Sequence, residues 1–153
     1  MKKVDFTPQD FEKLNEADKN GTLMQVIENR TLFDGLPPGE VAVKVAIFER
    51  IKWLWRDLKD RLQSRVEHLE WQEQTKKIRR ILNLPLDSSF DYERMFPMFK
   101  QLEEDCFEHF RLLFKEYPEF AKYFQQKLST SKQKMSPIVL QAISDYERQL
   151  FAD

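Results

Sequence analysis

Three side chains in this sequence have the chemistry of a nitrogen or sulfur metal ligand or of a Cys–His catalytic pair: His68, Cys106 and His109. A metal centre usually takes three or four protein ligands, whereas only Cys106 and His109 share a helix face here, three residues apart and flanked by Phe107 and Phe110. That setting predicts a core thiol beside a rim histidine, with no metal and no cofactor. The Glu-x-x-His signature of carboxylate-bridged di-iron bundles is missing, because Arg65 stands three residues before His68 and Cys106 three before His109. Burial among phenylalanines raises a thiol pKa and makes it inert, so Cys106 is not read as a nucleophile. Phosphate loops and dinucleotide folds need glycine where the backbone takes positive φ or approaches a phosphate. Gly21, Gly35 and Gly39 are the only three glycines, and none follows Gly39. The expectation is a protein that is not an enzyme.

Two short stretches resemble known helical families. Arg61 followed by His68 is similar to the loose arginine–histidine spacing of HEPN-type helical ribonucleases, but Leu62 follows the arginine where that pattern favours a polar residue. The passage from Leu112 to Phe120 resembles the helix-break-helix near the start of globins. A globin needs a proximal histidine far downstream, and none follows His109.

Binding chemistry is richer than catalytic chemistry. Residues 49–80 carry 10 basic and 6 acidic groups, against 5 and 8 in residues 1–40 and 6 and 9 in residues 87–128. The densest basic set is Arg61, Arg65, Lys76, Lys77, Arg79 and Arg80, with Trp71 as a stacking platform, and a nucleic-acid backbone is the ligand such a set would hold. The competing reading is that cations gather in the last turn of a helix to complement its dipole. A second surface is marked by Trp53, Trp71 and Ile78. At about 100° per residue they lie nearly opposite the main apolar stripe of their helix. Either the terminal helices cover that back face or another chain does, and in the second case it is a protein–protein interface, with a second copy of this chain as one candidate partner.

The elements that position these residues read as helices. The fold expected is an all-α helical bundle, one domain over residues 1–153, built on two long antiparallel helices with shorter N- and C-terminal helices. Thr7 caps a first acidic helix with Pro8 at its first position, ending at Lys19-Asn20-Gly21, and a second short helix covers Thr22 to Asn29. Leu32 to Gly39 is a proline-stiffened connection. A long helix runs from Glu40 to a stop at Asn83-Leu84-Pro85, although Val41, Val43, Val45 and Ile47 alternate as an edge strand would. Its main stripe is Ile47, Phe48, Ile51, Leu54, Trp55, Leu58, Leu62, Val66 and Leu69.

The next helix is expected from Asp87 or Ser88 to Tyr117, with Pro97 either bending it or marking its true first turn. Its core arc contains Phe96, Phe99, Leu102, Cys106, Phe107, Phe110, Leu113, Phe114 and Tyr117. Glu103 falls inside that arc, and a salt bridge to a basic residue of the preceding long helix is expected. Phe120 to Leu128 and Pro137 to Phe151, joined by a Ser129–Lys132 linker, complete the chain.

One cysteine and an amino terminus without an apolar signal region point to the cytoplasm. No uncharged apolar run approaches the about 20 residues that span a membrane. Function is accordingly read as a helical adaptor or assembly protein working by protein contact, with a nucleic-acid-associated accessory subunit as the alternative.

Overall fold

The computed structural model describes residues 4–29, 33, 35–85, 92–132 and 136–151. They form seven helices and no strand: α1 (Pro8–Lys19), α2 (Leu23–Asn29), α3 (Pro38–Ile81), α4 (Tyr92–Met95), α5 (Pro97–Glu116), α6 (Glu119–Thr130) and α7 (Pro137–Phe151).

The boundaries follow from local chemistry. At α1, the Asp10 N–H donates to the Thr7 hydroxyl at 3.2 Å while the Thr7 N–H donates to Asp10 Oδ2 at 3.1 Å, a reciprocal capping box. Gly21 has φ +72°, a conformation open to glycine, and lets the Thr22 N–H return to the Ala17 carbonyl at 2.8 Å. The 44-residue α3 begins at Pro38, two residues before the expected Glu40, because proline is pre-shaped for the first helical position and has no N–H to leave unpaired there. It ends where Asn83 turns to φ +58° and the Leu84 N–H bonds back to the Arg79 carbonyl at 2.8 Å. Residues 41–47 are helical, and their burial follows helical spacing. Val41 and Val45 face the core, while Val43 is exposed.

Most of the core lies at one end of the molecule. Phe11 from α1, Trp55 from α3, Phe110 from α5 and Phe120 from α6 surround Phe124, whose ring lies 5.1 Å from Trp55 in a stacked pair and 5.6 Å from Phe110 edge-on, while Phe48 of α3 packs on Phe11 at 5.2 Å. Such pairs add about 0.5–1.5 kcal/mol to the area they bury. Lys44 ties α1 down with a bond to Asp10 Oδ2 at 2.8 Å and another to the Asp5 carbonyl at 2.9 Å, so a buried cation is satisfied on two sides. Along α3 the partners come from progressively earlier positions in and just before α5: Arg50 meets Glu116, Arg65 meets Glu103, His68 meets Phe99 and Trp71 meets Phe96, the residue preceding α5.

Two expectations are corrected, and of the two roles offered for Pro97 the second is the one found: Pro97 opens the 20-residue α5, where its missing N–H leaves nothing unpaired and its ring would crowd the carbonyl of a preceding helical turn. Phe96 is thereby pushed to φ −130°, and α4 stands apart as one turn. The expected start at Asp87 or Ser88 lies outside the described residues. On α5, Leu102 is 45% exposed, being at the edge of the arc whose centre holds Glu103, Cys106, Phe107 and Phe110. Ser129 and Thr130, assigned to a linker, extend α6 by half a turn.

Candidate interaction surface

The stripe of α3 that packs the bundle is the expected one: Phe48, Ile51 and Leu58 are fully buried, and Ile47, Leu54, Trp55 and Leu62 pack against them. Trp53 and Trp71 lie on the opposite side of the helix, 57% and 47% exposed. They are 18 residues apart, five turns and about 27 Å along the axis. About half of each side chain is open to solvent, so no described helix encloses either ring. The two tryptophans nevertheless differ in setting. Trp53 stands on the well-packed half of α3 with the Arg56 guanidinium 5.1 Å from its ring centre. Trp71 touches Phe96 edge-on at 6.2 Å and begins an apolar run with Ile78 and Leu82, both exposed, at the distal end of the helix. Asp60, Ser64 and Glu67 occupy the same side between the rings, so the face alternates between aromatic and polar surface.

The six basic residues do not assemble into one surface. Arg61 holds Asp57 at 3.2 Å within its own helix. Arg65 turns into the bundle, where Nη1 donates to Glu103 at 2.9 Å and 3.2 Å to the two carboxylate oxygens. The Tyr146 hydroxyl of α7 donates to the same carboxylate. Glu103 is fully buried, so this charge is neutralised and bonded by residues from two other helices, the resolution expected for an acid inside an apolar arc. Arg79 Nη1 donates to the Pro85 carbonyl at 2.9 Å and helps close the end of α3. Lys77 and Arg80 are exposed and Lys76 partly so; no acid occurs between Gln74 and Pro85, so these cations lie in a positive stretch.

Burial, followed by the nearby Asp57 carboxylate, pushes the Cys106 thiol from 9.0 up to about 12, while His109, one turn on, is exposed. His68 stacks on Phe96 at 4.0 Å with Phe99 edge-on at 5.1 Å, a packing role that separates it from Arg61 and its Asp57 partner. Among the described residues no three His, Cys, Asp or Glu side chains gather as a metal site, and no helix is long and apolar enough to cross a membrane. A cavity of about 230 Å³ is lined by Asp5, Phe6, Glu116, Tyr117 and Glu119 among others, and Glu116 pairs with Arg50 at 2.9 Å.

No protein-family model, curated protein or solved structure matches this chain.

Proposed function

We propose that this chain is a non-enzymatic assembly protein that works through protein–protein contact and self-associates by the outer face of α3. In this reading α3 is the frame, with α5 laid antiparallel to its inner side. The observation that carries the proposal is the pair of half-exposed tryptophans, Trp53 and Trp71, on the one side of a 44-residue helix that the bundle leaves bare. Tryptophan is enriched among the residues that dominate interface energies, and large apolar groups left in water invite association. Ile78 and Leu82 extend the same surface to the end of the helix.

Sedimentation velocity across a micromolar concentration series tests it. A concentration-dependent dimer that Trp53→Ala or Trp71→Ala converts to a folded monomer supports the proposal. A monomer at every concentration overturns it.

The alternative, a nucleic-acid-associated subunit, is favoured by the positive stretch at Lys76, Lys77 and Arg80, which has no acid within it. A filter-binding titration across salt addresses that reading: binding through phosphates must weaken steeply as salt rises, and Lys76→Glu with Lys77→Glu must abolish it. Absence of binding at low salt eliminates it.

A further inference from the structure

The outer face of α3 can be followed from Ala42 to Leu82 in steps of three and four residues that average close to one turn, so it runs straight along the helix. Every residue on it is exposed or half-exposed, from Ala42, Ala46 and Glu49 through Trp53 to Trp71, Ile78 and Leu82. Its two halves are opposite in character about a midpoint between Asp60 and Ser64. The first half carries small residues where the second carries bulky ones. Counting outward from the midpoint, Trp53 is matched by Trp71, Ala46 by Ile78 and Ala42 by Leu82.

We propose that a second copy of this chain docks on this face with its α3 antiparallel, so that Trp53 of each copy meets Trp71 of the other and Ile78 and Leu82 cover the partner copy's alanine positions. The proposal rests on the self-association reading above and fixes its register. A two-fold axis through the midpoint generates it, since an isologous interface requires that each contact occur twice.

Charge agrees with this register. Arg56 and Glu67 lie on the same flank of the face, five residues from the midpoint on either side to within one residue, so each meets its opposite in the second copy. Size also fits. The face is about 60 Å long and one helix wide, about 10 Å, so it offers on the order of 600 Å² per chain, approaching the about 800 Å² per partner of a standard stable interface. The bundle lies on the far side of α3, behind Phe48, Ile51 and Leu58, and so does not stand between the two helices.

The test uses two single-cysteine additions on the full chain, Ala46→Cys and Ile78→Cys. Native Cys106 is buried and stays out of the exchange. The two variants are mixed, oxidised gently and resolved by mass. The expected product is the mixed disulfide between them, in excess over either homodisulfide. Predominant homodisulfides, in a protein that still sediments as a dimer, overturn the register while leaving self-association standing. A monomer, or a dimer that forms no cross-link at either position, overturns the proposal. A charge exchange supplies a second measurement. Arg56→Glu places four acids across the axis and should weaken the dimer about tenfold, and Glu67→Arg in the same chain should restore it. Failure of the double variant to recover also counts against the register.

Discussion

Residues 41–58 and residues 73–81 belong to one unbroken helix, yet they are held by different forces. In the first segment, Val41, Val45, Phe48, Ile51 and Leu58 are buried, and α1, α2, α5 and α7 all contribute neighbours to α3. In the second segment no apolar side chain is buried, and Ile78 and Ile81 are bare. The base is held by tertiary packing. The arm is held by local terms: the acid-first Glu73/Lys77 spacing, Arg79 and Arg80 at the negative end of the dipole, and the left-handed Asn83 stop. Helix formation and burial are therefore separable in one element, and surface for a partner is available where they part.

The largest effect should come from truncating the base. Phe124→Ala removes a fully buried ring that touches Phe11, Trp55, Phe110 and Phe120, and should cost about 3–5 kcal/mol in denaturant unfolding. Ile78→Ala on the arm should change monomer stability by about 0.5 kcal/mol or less. Equal losses at the two sites would erase the distinction.

Next in size is the polar point where α3, α5 and α7 meet. Glu103→Ala leaves the Arg65 guanidinium, only 14% exposed, without its carboxylate and should cost about 3 kcal/mol, whereas Glu103→Leu with Arg65→Met should recover most of that loss. A double variant as unstable as the single one would show that Tyr146 and the shape of the site matter more than charge.

Helix ends give smaller, sharper contrasts. Thr7→Ala removes the capping box at the base and should lower global stability by about 1 kcal/mol. Asn83→Val opposes a positive φ at the arm and should speed amide exchange in the last turns of α3 while the global melting temperature stays within error. A global shift from the second change would mean that the arm is coupled to the core.

The least effect, near neutral pH, concerns Cys106. Its thiol stays neutral in the folded chain up to about 12 but ionises from 9.0 once unfolded. The stabilisation is thus complete below pH 9.0 and declines as pH rises toward about 12. The stability gap between the parent and Cys106→Ala should narrow over that interval, and a thiol reagent at neutral pH should react only as fast as the chain opens. Immediate labelling would place the thiol outside the core.

What the sequence determined by itself was whatever depends on neighbours along the chain. Thr7-Pro8, Asn20-Gly21, Asn83-Leu84-Pro85 and Ser136-Pro137 state helix ends through hydrogen bonds a few residues long, so those boundaries were legible. The inner stripe of α3 was legible too, because burial there follows helical spacing. A salt bridge for Glu103 was foreseeable from its position, since a charge inside an apolar arc requires a partner. Only the tertiary structure decided that Arg65 is that partner and that Tyr146 joins it, because the two contacts span 38 and 43 residues. It alone removed Arg65 from the basic surface. Leu102 and Trp53 were equally beyond the reach of local pattern: whether an apolar side chain on a helix meets protein or water depends on which helices pack beside it, and spacing along one helix does not contain that arrangement.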